Sequence, residues 1–178
     1  MSNALIIVDV QNCFMNSYTE HIPDRVVQLI EDNDYDPILF TRFINQPGGP
    51  YPRFMDWCDC TDAPGTDFVD QLAPLATPET TFDKHGHAGI PETLTDYLRE
   101  HEIDRITVVG IDTDMCVLKV AMDIFDLNIE SIVVIDCCAS TAGLQSHLAG
   151  LAVLARNIGA DQLREAGLTG GHLAAPRD

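Results

Sequence analysis

Three residues could carry chemistry in this chain: Cys116, Asp9 and Lys84. Cys116 lies in Gly110-Ile111-Asp112-Thr113-Asp114-Met115-Cys116-Val117, where an apolar run that reads as a strand breaks into a turn and opens a helical pattern. A thiol in the first turn of a helix faces unpaired backbone N–H groups and the positive end of the helix dipole, which favour thiolate and can hold an oxyanion. Asp9 follows the apolar run Ala4 to Val8, and Lys84 follows Thr80-Thr81-Phe82-Asp83, so each stands at a strand exit. A cation beside the sulfur would bring the thiol below its ordinary pKa of about 8.5. A carboxylate would accept the thiol proton and later return it to a leaving amine. Each residue also has a plainer reading on its own: a cysteine packed as a small hydrophobe, an aspartate capping a helix, a lysine on the surface.

The elements that must position them follow from periodicity. Ala4 to Val8, Ile38 to Phe40, Ile106 to Val109 and Ile132 to Ile135 read as buried strands, with Thr80 to Phe82 a weaker fifth. Helical patterns alternate with them. Pro23 opens one that carries Val26 and Ile30, and Pro91 opens another with Leu94, Tyr97 and Leu98. A third begins near Cys116 and repeats Val117, Ala121, Ile124 and Phe125 before Asn128; a fourth runs through Leu144, Leu148, Leu151, Leu154 and Ile158 to Gly159. Strands apolar on both faces that alternate with helices predict an α/β fold with a parallel sheet covered on both sides. Ligands bind such sheets beyond the carboxyl ends of the strands, and Asp9, Lys84 and Cys116 all fall at carboxyl ends. The proline- and glycine-rich stretch from Ile44 to Thr66, with Tyr51, Phe54 and Trp57, is a long loop of the kind that serves a site.

Length and composition bound the reading. The 178 residues suit one domain. Residues 166–178 read as a mobile tail. No run approaches the roughly 18 apolar residues of a membrane span, and the N-terminus lacks a signal-peptide pattern, which predicts a cytoplasmic protein. The 28 acidic residues against 10 basic ones give a formal charge of −18, which argues against nucleic acid as a partner. Lys84 and Lys119 are the lysines, and Lys119, a helical turn past Cys116, reads as a surface residue. Cys13, Cys58, Cys60, Cys116, Cys137 and Cys138 are expected to be reduced thiols, because nothing else in the chain looks secreted.

Taken together, Asp9 in Ile-Ile-Val-Asp-Val-Gln-Asn-Cys-Phe, Lys84 after a short strand, and Cys116 in Gly-Ile-Asp-Thr-Asp-Met-Cys-Val resemble the isochorismatase-like cysteine hydrolases. That superfamily includes nicotinamidases, N-carbamoylsarcosine amidases and isochorismatases, and the resemblance runs from Ala4 to about Ile158. It implies a three-layer Rossmann-like sheet in the order 3-2-1-4-5-6 and an Asp9-Lys84-Cys116 triad. It further implies a cis peptide between Ile111 and Asp112, and a homo-oligomer. The chemistry would pass through a thioester on Cys116, with the oxyanion held by the backbone N–H groups of Asp112 and Cys116 and water releasing the acid.

Departures from the family pattern narrow the substrate. Nicotinamidases have Asp-x-His after the second strand and a further His for a metal, where this chain reads Thr41-Arg42-Phe43-Ile44-Asn45. This favours a metal-free, cofactor-free enzyme acting on a small amide or carbamoyl compound. Vinyl-ether cleavage of the isochorismatase type needs no cysteine nucleophile, so Cys116 counts against it. Arg42 is a candidate for a substrate carboxylate, and Phe14, Phe43, Asn45, Trp57 and His87 are candidate pocket walls. His85-x-His87 lacks a third metal ligand by spacing. Two rivals stay open: a nicotinamidase with altered metal ligation, and a non-catalytic binding or thiol redox-sensing member of the same fold.

Overall fold

The computed structural model describes residues 3–87 and 89–166. Of the expected tail, residues 167–178 lie outside the described residues; Ala166 donates its backbone N–H to Asp136 at 2.7 Å. A six-stranded sheet runs in the order 3-2-1-4-5-6 through β1 (Ala4–Val8), β2 (Ile38–Phe43), β3 (Thr81–Lys84), β4 (Arg105–Ile111), β5 (Glu130–Ala139) and β6 (Leu163–Arg164). Every pairing is parallel. The order reverses between β1 and β4, the switch point at which such sheets open a crevice.

The apolar runs form strands because both of their faces are covered. On one face α3 (Glu92–Glu100), α4 (Leu118–Asp126) and α5 (Leu144–Ile158) bury Leu94, Leu98, Val120, Ile124, Leu151 and Leu154 against Ile6, Val8, Ile106 and Val108. On the other, α1 (Ile22–Glu31) and the segment around Phe68 and Leu72 cover Leu5, Ile7, Phe40 and Val109. Pro23 and Pro91 stand at the starts of α1 and α3, where a missing N–H costs nothing. Asn128 takes the left-handed conformation just past α4. Among the described residues no helix is long and apolar enough to cross a membrane.

The structure departs from the periodicity in three places. The two-residue β6 is too short to leave a pattern in the sequence, and the long loop folds its Pro50–Met55 stretch into a short helix, α2. Leu144 and Leu148, assigned to the apolar face of the last helix, are exposed, whereas Leu151, Leu154 and Ile158 are buried.

Two glycines set the approach of the elements that carry the candidate residues. Gly110 has φ +124°, and a Cβ there would lie 2.2 Å from the carbonyl oxygen of Val8, so β1 and β4 meet as they do only because no side chain intervenes. Gly150 on α5 lies against the turn after β4, where a Cβ would come within 2.7 Å of the Asp114 Cα. Gly150→Ala is therefore expected to displace that turn, lowering unfolding free energy by about 1–3 kcal/mol. Thermal denaturation of Gly150→Ala against the unmodified protein checks this.

Candidate active site

Asp9, Lys84 and Cys116 converge at the carboxyl ends of β1, β3 and β4. Lys84 Nζ lies 2.6 Å from Asp9 Oδ2 and 3.2 Å from Cys116 Sγ. Asp9 leaves β1 with φ +50°, a conformation rare outside glycine that persists only where the surroundings enforce it. They do so here: its N–H donates to the Thr41 carbonyl at 3.2 Å, and the Thr41 hydroxyl donates to Asp9 Oδ1 at 2.7 Å. The Ile111–Asp112 peptide is cis, and the chain then turns through one π-helical stretch, Thr113–Val117, before α4. Cys116 thus sits in that turn, two residues before the regular helix begins at Leu118.

The ion pair is almost dry, with side-chain exposures of 1% for Lys84 and 0% for Asp9. Burial would lower the Lys84 pKa, but the Asp9 carboxylate and Cys116 more than reverse this and hold it above its ordinary value. The sulfur behaves differently from the sequence expectation. Burial pushes the Cys116 thiol well above its ordinary pKa, Asp9 pushes the same way, and Lys84 opposes both without prevailing. These surroundings favour the protonated thiol over the thiolate, because Lys84 is already committed to a carboxylate in a site that solvates charge poorly.

A cleft of about 160 Å³ opens on Cys116, lined by Phe14, Phe43, Tyr51, Met55, Trp57, Ile111, Asp112, Met115 and Thr141. Phe14 and Phe43 both stack on Trp57, with ring centroids 6.1 and 5.8 Å away, and Tyr51 meets Phe43 and Trp57 edge-on. Burial lifts the Tyr51 phenol to about 12, so it stays protonated. Of the predicted wall residues, then, Phe14, Phe43 and Trp57 line the cleft. Tyr51, Met55, Met115 and Thr141 were missed, since nothing in a helical or loop pattern marks which side chain will turn inward.

Arg42, Asn45 and His87 do not line it. The β2–β3 register pairs Arg42 with Asp83 and Phe43 with Lys84, so alternation sends the arginine to the opposite face from the cleft. There it makes a bidentate pair with Asp83 at 2.7 and 2.9 Å. Asn45 is buried, its amide donating to the carbonyls of Trp57 and Asp59 at 3.0 Å each, which shapes the aromatic loop. His87 is exposed, with its ring edge-on to Tyr51 at 5.1 Å.

Gln11, not singled out in the sequence, holds the loops together: its amide bonds both the N–H and carbonyl of Phe43, at 2.8 and 2.9 Å, and the Thr66 carbonyl at 2.9 Å. Cys13 and Cys60 form a disulfide, which corrects the expectation of reduced thiols throughout. Their 47-residue separation carries no motif; the loops meet because Cys13 bonds Gly65 and Asn45 bonds Cys60 through the backbone. Cys58, Cys116, Cys137 and Cys138 are free, and Lys119 pairs with Asp123 on α4.

The residues present do not fit a divalent metal. At the position of the Asp-x-His pattern, Thr41 serves Asp9, Arg42 is paired, Phe43 is an aromatic wall, and Asn45 Oδ1, buried without a hydrogen-bond partner, is a lone donor. His85 Nδ1 is taken by the Ile44 carbonyl at 3.0 Å. Among the described residues no three His, Cys, Asp or Glu side chains gather as a metal site would require.

Comparison with known proteins identifies the family and the fold. A model of the isochorismatase domain matches residues 3–165. The nicotinamidase/pyrazinamidase of Mycobacterium tuberculosis is 30% identical, the match covering 78% of this chain and 87% of that protein. Among solved structures, N-carbamoylsarcosine amidase from Thermoplasma acidophilum superposes with a TM-score of 0.80 at 23% identity, covering 96% of this chain and 100% of that one. Nicotinamidase from Bacillus subtilis gives 0.77 at 24% identity, covering 93% and 100%.

The electrostatics yield a testable asymmetry. Iodoacetamide labelling of Cys116 should keep rising with pH from about 7 to about 10 without levelling off, because the folded thiol titrates above the ordinary range. Asp9→Asn should label faster, by about tenfold for each unit by which the thiol pKa falls, and Lys84→Met slower. A plateau near neutral pH in the unmodified protein would show a preformed thiolate instead.

Proposed function

The chain belongs to the isochorismatase domain family, and from that premise we propose that it is a metal-independent cysteine amidohydrolase for a small amide or carbamoyl substrate. The observation that carries this reading is the buried Asp9–Lys84–Cys116 contact at the floor of an aromatic cleft.

Attack begins from the thiol. As Sγ approaches the substrate carbonyl carbon, Asp9 takes the thiol proton, and Lys84 balances the negative charge as it moves from carboxylate to sulfur. The tetrahedral oxyanion is received by the backbone N–H groups of Asp112 and Cys116; one such donor is worth about 10²–10³ in rate. Collapse breaks the carbon–nitrogen bond, Asp9 returns its proton to the leaving nitrogen, and a thioester remains on Cys116. Water then gives a proton to Asp9 and adds to the thioester carbon. The acid leaves and the proton returns to sulfur, so one amide and one water become one acid and one amine or ammonia.

The similarity to the Mycobacterium tuberculosis nicotinamidase/pyrazinamidase favours a second reading, nicotinamide hydrolysis with a different metal set. The donor set around Thr41, Asn45, His85 and His87 speaks for the metal-free form.

Ammonia release is to be measured across a panel of amides, ureas and carbamoyl compounds. Cys116→Ala should lower kcat/KM by about 10⁴-fold or more and abolish the covalent adduct seen by mass spectrometry. Exhaustive chelation should leave the rate unchanged. Stoichiometric zinc or iron whose removal reversibly stops turnover would replace this reading with the metal-dependent one.

A further inference from the structure

Asp112 lines an otherwise largely apolar cleft, and among the described residues no cation pairs with its carboxyl group. Thr141 supplies its hydrogen bonds, the backbone N–H to Oδ1 at 2.6 Å and the hydroxyl to Oδ2 at 2.7 Å. A carboxylate has about four lone-pair sites, so each oxygen keeps one free. Among the described residues no basic side chain makes an ion pair with it. Lys84, the cation of the site, is held by Asp9 and Cys116. Arg42 faces Asp83 on the far side of the sheet, and Arg53 lies over the exposed Phe54 ring at 4.9 Å. Burial and then the nearby Asp114 and Asp9 charges raise the Asp112 pKa, and the Thr141 bonds oppose this; the neighbouring charges that act on it are negative.

The remaining walls are aromatic faces and edges from Phe14, Phe43, Tyr51 and Trp57. Rings attract a cation through their quadrupoles, most strongly where water is excluded. An unpaired carboxylate beside a cluster of rings is the chemistry that recognises an ammonium group and repels a carboxylate. We propose that Asp112 and the four rings make this cleft selective for a small amide whose acyl part carries a compact cation, such as a primary or methylated ammonium, against amides that carry a carboxylate. The size agrees: about 160 Å³ corresponds to roughly five water molecules' share of the liquid. This inference rests on the amidohydrolase reading for the reacting amide, but the charge preference of the cleft is measurable without turnover.

Trp57 is the chain's one tryptophan and sits in the cleft, so its emission reports binding directly. Three probes of similar size and different charge, benzylammonium, benzyl alcohol and benzoate, are titrated against the intact protein at neutral pH. Benzylammonium should bind at least about tenfold tighter than benzyl alcohol, and benzoate at least about tenfold weaker. Asp112→Asn should bring the ammonium-to-alcohol ratio to about one. Met55→Lys, a change at an exposed position on the cleft wall that leaves the core untouched, should reverse the preference between benzylammonium and benzoate even if Asp112→Asn does not fold. Benzoate binding as tightly as benzylammonium, or a preference that survives in folded Asp112→Asn, would overturn the proposal. Hydrolysis of amides without regard to charge would sink this inference alone; a clear charge preference with no hydrolysis of any amide would sink the amidohydrolase reading alone.

Discussion

The structure depends on one costly contact: a lysine and an aspartate that bring opposite charges together with almost no access to water. Burying either charge unpaired would cost several kcal/mol, and removing one partner from such a pair typically costs about 3–5 kcal/mol. The pair therefore survives only where the backbone leaves it no other arrangement. Thr41 binds the second Asp9 oxygen, the Asp9 backbone is held in a left-handed turn by the same residue, and the glycine at position 110 lets β4 close against β1 beside it. Gln11 then fastens the end of β2 to the loop that carries the aromatic walls.

That pairing also decides how the sulfur can act. A lysine free of other partners would favour the thiolate, but Lys84 divides its charge between the carboxylate and the thiol, and burial disfavours a net negative site. In the proposed reaction the arrangement suits a base that accepts a proton during attack better than one that strips it beforehand. It also leaves Asp112 without a cationic partner among the described residues, since Lys84 is held by Asp9 and Cys116. The cleft thus has a polar end at Asp9, Lys84 and Cys116 and an aromatic end at Phe14, Phe43, Tyr51 and Trp57.

Arg42 shows how a correct type of residue can be read into the wrong place. Bidentate recognition of a carboxylate is what an arginine does well, and it does so here, toward Asp83 on the outer face. The deciding fact is the one-residue alternation of β2. Thr41 and Phe43 face inward, so the residue between them must face out, and the parallel register delivers an aspartate to meet it. The cysteines give a similar lesson in three dimensions. Cys13 and Cys60 join two loops 47 residues apart that the fold brings together, whereas the adjacent Cys137 and Cys138 alternate on a buried strand and remain free.

Much was legible in the chain itself. Apolar runs interrupted at Asp9 and Lys84, a glycine-bearing run ending before Cys116, and helices opened by prolines are local signals, set by hydrophobic burial and backbone geometry within a few residues. They sufficed for a parallel α/β sheet, for its helices, and for three residues at strand ends that the structure brings together. The wall residues were half legible: aromatic residues in a long loop announce a site, but Tyr51, Met55, Met115 and Thr141 acquire their places from packing between segments far apart in sequence. The upward shift of the Cys116 thiol, the outward turn of Arg42, the disulfide and the absence of a cation beside Asp112 belonged to the tertiary structure alone. Each depends on distances and dielectric surroundings between residues dozens of positions apart, and a sequence specifies residue types and spacings but not which charges end up side by side out of water.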